Sequence, residues 1–180
     1  MRKNLLSLLF LFFLGTTALF AQNQPQFPII KKYGGIYEIP EATERPDPTK
    51  EYKIIVDMTS GPDDPAQISR WVDNIARMVN LHALAGVSQE NIHVKVVVHG
   101  GAIYTALGDA KYKERHQVDN PNIPVYEALK DAGVEFYVCG QSMRARSLKK
   151  EDIWEGAQIA HSALTTFTTY VPQGYVLLKF

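Results

Sequence analysis

The stretch Ile92-His93-Val94-Lys95-Val96-Val97-Val98-His99 is dominated by β-branched residues and stops against Gly100-Gly101. So continuous an apolar run is what a strand buried on both faces requires, and such strands belong to parallel sheets with helices packed on either side. Upstream, Tyr52 to Met58 (YKIIVDM) is a second short β-branched run. Downstream, Val134 to Cys139 (VEFYVC) is a third. Ala157 to His161 is a weaker strand, and Tyr175 to Phe180 (YVLLKF) ends the chain as the last one.

The segments between these runs carry helical spacing. Ile68, Trp71, Val72, Ile75, Met78, Val79 and His82 recur at steps of three and four, which predicts an amphipathic helix over Ala66 to Ala85, closed by Gly86. Its start is assigned to Asp64 as cap, Pro65 as first residue and Gln67 three places after the cap. Further helices are predicted over Ala102 to Asn120, from Pro121 to Ala132, from a Ser142 cap through Arg146, and over Ala163 to Val171 behind a Ser162 cap. Strands alternating with helices imply crossover connections, and so an α/β fold with a mostly parallel sheet covered on both faces.

The chain has 180 residues, 46% of them hydrophobic, enough for one core, with Lys+Arg 19 balancing Asp+Glu 19. With no basic block beyond pairs such as Lys31-Lys32 and Lys149-Lys150, a nucleic-acid partner is not expected, because that footprint needs clustered positive charge. Residues 1–21 read as a cleaved signal peptide: Met1-Arg2-Lys3, then the apolar run from Leu5 to Leu14, then small residues up to Ala21. The run is too short to span a bilayer, so the mature protein is expected to be periplasmic or secreted, with no membrane segment. Residues 22–50 hold half of the ten prolines and read as an extended arm whose apolar residues pack on the domain or on a neighbouring subunit; residues 51–180 form the domain.

In a parallel α/β sheet, sites lie beyond the carboxyl ends of the strands. That edge gathers Asp57 after the first strand, His99, Gly100 and Gly101 after the second, and Cys139, Gly140, Gln141 and Ser142 after the third. Cys139, the single cysteine, stands where a strand meets a helix start, a place that favours the thiolate. Cys139 and His99 are the candidate catalytic residues, as sulfur nucleophile and proton donor or acceptor. Gly100, Gly101, Gly140, Gln141, Ser142 and Asp57 are the candidate ligand-binding residues. His82 falls roughly 25 Å away down its helix, at about 1.5 Å per residue. No His, Cys or carboxylate spacing fits a metal site, and no dinucleotide, phosphate-loop or Gly-x-Ser-x-Gly motif is present, so neither metal nor cofactor is expected.

The strings YKIIVDMTSGP, NLHALAGV, VKVVVHGGAIYTAL, DNPN, LKDAGVEFYVCGQS and SALTTFTTYVPQGYVLLKF, in that order, resemble the DsrE/DsrF-like (YchN-like) family, in particular its exported branch, over Tyr52 to Phe180. The resemblance implies a three-layer α/β/α domain with a five-stranded parallel sheet of order 4-3-2-1-5. It also implies homo-oligomers, usually trimers or hexamers, and, for sulfur-relay members, a cysteine after the third strand that carries sulfur as a persulfide. Cys139 matches that position. If the order holds, adjacent strands about 4.8 Å apart set His99 beside Cys139. Two functions follow as expectations: an exported sulfur carrier using Cys139 with a sulfur donor or acceptor protein, or an oligomeric module binding a small ligand or anion without covalent chemistry.

Overall fold

A computed structural model describes residues 24–180; the predicted signal peptide lies outside them. Five strands, β1 (Tyr52–Met58), β2 (Ile92–Val98), β3 (Glu135–Cys139), β4 (Gln158–Ala160) and β5 (Val176–Lys179), form one sheet in the order β4-β3-β2-β1-β5. Every pairing is parallel. β2 lies at the centre, as its valine content demands, with Val96, Val97 and Val98 all fully buried. Among the described residues, five α-helices pack around it: α1 (Arg70–Leu84), α2 (Asp109–His116), α3 (Ile123–Asp131), α4 (Gly140–Arg144) and α5 (Ala163–Tyr170).

Strand alternation divides the side chains into two unequal layers. Ile54, Val56, Met58, Val94, Val96, Val98, Phe136 and Val138 face the main core with α1 and α3, where the Tyr126 ring stacks on Trp154 at 5.2 Å. The opposite face carries Ile55, Val97 and Cys139, which pack with Ala163 of α5 in a much smaller cluster. Most of its other positions are polar, with Ala160 and the exposed Leu177 as apolar exceptions, and α5 is only eight residues long.

Residues 24–50 are packed against the outer side of α1. Ile30 and Ile36 are buried, and a short bridge joins Gln26 to Ile36. The fully buried Asn80 holds this arm: its Oδ1 accepts from the amides of Ile29 (3.0 Å) and Ile30 (2.8 Å), and its Nδ2 donates to the carbonyls of Ile30, Tyr33 and Gly34.

Four predicted helix starts move, that of α3 only from Pro121 to Ile123. α1 begins at Arg70, not Ala66: Asp64 instead closes a turn, its Oδ1 accepting from the Ala66 amide (2.9 Å) and its carbonyl from Gln67 (3.1 Å). The amide of the true cap, Ser69, is taken by Asn122 Oδ1 (2.8 Å). The helix predicted over Ala102 to Asn120 is a 3-10 turn (Gly100–Ala106) followed by α2, with the break at Leu107-Gly108, where the Gly108 amide bonds Asp152. α4 starts at Gly140 with Cys139 as its cap, so Ser142 lies inside the first turn. Ser162 does cap α5, accepting from the Thr165 amide at 3.0 Å.

Candidate functional site

β3 runs into α4 with no intervening loop: Cys139 is both the last strand residue and the helix cap. The turn is tight enough that a Cβ on Gly140 would stand 2.9 Å from the Ala160 carbonyl oxygen, a distance real side chains do not tolerate. The first amides of α4 are thereby turned back on the sulfur. Cys139 Sγ also accepts the Ala163 amide at 3.2 Å, from the start of α5. Two helix N-termini therefore converge on one sulfur atom.

The consequence is electrostatic. Burial alone would push the thiol up, but hydrogen bonds from the Ser142 amide, the Ala163 amide, the Ser142 hydroxyl and the Gln141 amide outweigh it and hold Cys139 below the ordinary thiol value of 9.0. The residue is only 4% exposed, so the sulfur is sheltered rather than set on an open rim. A cleft of about 210 Å³ runs alongside between β4 and α5, with Tyr137, Ala160, Thr165 and Tyr170 in its wall; the sulfur itself does not line it.

His99 and Asp57 lie on the same sheet face as Cys139, two residues beyond Val97 and Ile55 of the small cluster. The β2–β3 register runs to Val98 opposite Val138, one residue short of His99 and Cys139. His99 Nε2 is 2.6 Å from Asp57 Oδ1. A carboxylate there requires the hydrogen on Nε2 and leaves Nδ1 as the ring's second proton-handling atom. The ring stands edge-on to Phe167 of α5, centroids 6.1 Å apart. Among the described residues no hydrogen bond joins His99 to Cys139.

The remaining candidates take distinct places. Gly100, at φ +55, has a left-handed backbone that suits glycine, and its amide donates to Ser142 Oγ at 3.3 Å, tying the β2 turn to α4. Gly101 lies against the backbone of Gly61 in the β1 turn. The Gln141 side chain is exposed and donates to the His161 carbonyl (3.3 Å), so its amide, not its carboxamide, serves the sulfur. Arg146 bonds the Ser142 carbonyl and lies over Tyr104. His82 rests on Tyr52, the first residue of β1, at the opposite edge of the sheet. Among the described residues, no three His, Cys, Asp or Glu side chains are grouped as a metal site, and no helix is long and apolar enough to cross a membrane.

Sequence reasoning missed the contribution of α5. The signal was present: Ser162 reads as a cap, and the order 4-3-2-1-5 sets the turn after β4 beside β3. Only the pairing of Cys139 with Ala160 brings that helix start onto the sulfur.

A five-stranded parallel sheet between helical layers, with one cysteine capping a helix at the carboxyl edge of its third strand, defines an α/β/α protein with a sheltered cysteine. The model of the DsrE/DsrF-like family matches residues 52–180, and the chain belongs to that family. Among solved structures, a protein of unknown function, MTH1491, from Methanobacterium thermoautotrophicum is similar in fold: TM-score 0.53 at 17% identity, covering 72% of this chain and 100% of the other. No curated protein matches closely enough to serve as a relative.

Proposed function

We propose that the protein is an exported sulfur carrier that holds sulfur as a persulfide on Cys139. The observation that carries this is the convergence of amides from α4 and α5, with the Ser142 hydroxyl, on a single sulfur atom. These donors are aimed at the thiol, not at an open cavity, which favours covalent sulfur transfer over reversible anion binding. The resemblance to the sulfur-relay members of the matched family supports this reading. In the transfer step the Cys139 thiolate attacks the outer sulfur of a donor persulfide, R–S–SH. A new S–S bond forms at Sγ, the donor S–S bond breaks, and its electron pair leaves on R–S⁻. The sulfane sulfur keeps its oxidation state, so no oxidant is consumed. The Asp57–His99 pair is suited to supply the proton that R–S⁻ takes up.

Incubation with a low-molecular-weight persulfide should add the mass of sulfur to Cys139, reversibly by dithiothreitol, and should leave Cys139→Ser unmodified. A folded wild-type protein that gains no sulfur refutes the proposal. We further propose a homo-oligomer, a trimer or hexamer. Leu164 is 77% exposed, and Val171 and Leu177 are exposed near the thinly covered sheet face, where a parallel sheet calls for a second layer. A monomeric mass by sedimentation would overturn that assignment.

A further inference from the structure

α5 meets the sheet along one stripe, and its three contacts fall at helical spacing. Ala163 gives its amide to Cys139 Sγ. Four residues on, Phe167 stands against His99. Three further, the Tyr170 hydroxyl is 3.1 Å from that of Tyr137, and the Tyr170 ring lies 4.5 Å from the Lys95 ammonium.

The last contact is built around a buried cation. Lys95 leaves the middle of β2 on the α5 face with its side chain only 8% exposed. It lies among the rings of Tyr137, Tyr170 and Tyr175 and is paired with Glu135, which also accepts from the Tyr137 hydroxyl at 2.7 Å. An ammonium in the central strand of a parallel sheet is costly to desolvate, whereas valine or leucine would pack there without that penalty. The lysine does what an apolar residue would not: it pins the end of a helix that is too short to hold its own place. The charges also match the helix dipole, with an ammonium beside the last turn of α5 and a thiolate at its first amide.

We infer that Lys95, Tyr137 and Tyr170 form a positioning clasp that seats α5 on the sheet, and that the seated helix both stabilises the Cys139 thiolate and shields it. This rests on the reading of Cys139 as a working thiolate and adds a device, about 13 Å along β2 from His99, that regulates it. The ionisable groups on this side of the sheet are Lys53 and Asp57 from β1, His93, Lys95 and His99 from β2, Glu135, Tyr137 and Cys139 from β3, Lys179 from β5, His161 before α5, and Tyr170 and Tyr175 at its end.

The two effects of the clasp separate in the pH profile of iodoacetamide alkylation of Cys139, where the midpoint reports thiolate stability and the alkaline plateau reports access. Tyr170→Ala and Lys95→Met should raise the midpoint, so that the rate well below it falls about tenfold, while the plateau rises. Tyr170→Phe keeps the ring over Lys95 and should stay close to wild type. Variants that unfold cooperatively at a lower temperature but keep the wild-type midpoint and plateau would overturn the clasp and leave a merely structural role. If Tyr170→Ala does not fold, Lys95→Met decides. A wild-type midpoint at the ordinary thiol value would instead refute the reading of Cys139 itself, and the clasp with it.

Discussion

Replacing Asn80 with alanine should release the N-terminal arm from α1 while leaving the sheet intact. The Asn80 amide makes five hydrogen bonds to arm backbone, at 2.8 to 3.2 Å, and is fully buried. Nδ2 has only two hydrogens for its three carbonyls, so at about 1 kcal/mol net for each full bond the direct loss approaches roughly 4 kcal/mol, provided the arm stays in place with its amides and carbonyls unpaired. If the arm detaches, those groups regain water, but Ile30 and Ile36 become exposed at roughly 1.5–3 kcal/mol each. The two routes cost about 3–6 kcal/mol, and the second is the one the chain can take without leaving buried polar groups unsatisfied. Urea unfolding followed by tryptophan fluorescence would measure the loss. Limited trypsin digestion would locate it, since Lys31, Lys32 and Lys50 all lie in the arm. A loss under about 1 kcal/mol with unchanged cleavage in the arm would show that the amide does not hold it.

Two further outcomes are expected. Ser142→Ala removes one donor to the sulfur and the acceptor of the Gly100 amide; a hydrogen bond to a charged atom is worth about 1.5–3 kcal/mol, so the thiolate population below the midpoint should fall at least tenfold, roughly. An unchanged ultraviolet thiolate titration would refute this. At alkaline pH the buried phenols should destabilise the fold: burial pushes Tyr126 and Tyr137 well above the ordinary value of 10.0, and Tyr112 upward as well. Their folded-state values are raised, so the stability they contribute is present below pH 10.0 and is lost as pH rises beyond it, when the unfolded chain ionises first. Tyr126→Phe should flatten that loss in urea midpoints measured on either side of pH 10.0, and an equally steep loss would count against it.

The sheet was legible because its signal is local. Four valines within β2 declare a strand buried on both faces, and the strand–helix alternation around it leaves few topologies. The helix boundaries were not, because distant residues set them. Asp64-Pro65-x-Gln67 has the composition of a cap, yet the amide of Ser69 is taken by Asn122, far along the chain, and the helix starts there. The expected long helix after Gly101 breaks where Leu107 bridges Ile153 and where Asn120 reaches back to the carbonyls of Thr105 and Leu107. At the site, the residue types at the sheet edge could be read, but their partners could not. Asp57 and Gln141 were both read as ligand-binding groups; in the structure the first is taken by His99 and the second by the His161 carbonyl. Lys95 stood visibly inside a valine run, and only the fold shows the three tyrosines that receive it.

The missing loop between β3 and α4 makes the surroundings of Cys139 a property of the main chain. Apart from the Ser142 hydroxyl, every donor to the sulfur is a peptide amide, so among these donors an alanine scan would register only Ser142 and pass over the rest. Swapping single peptide bonds for esters at Gln141, Ser142 or Ala163 would remove one donor at a time, and chemistry of that kind, not side-chain mutagenesis, is matched to how this centre is made.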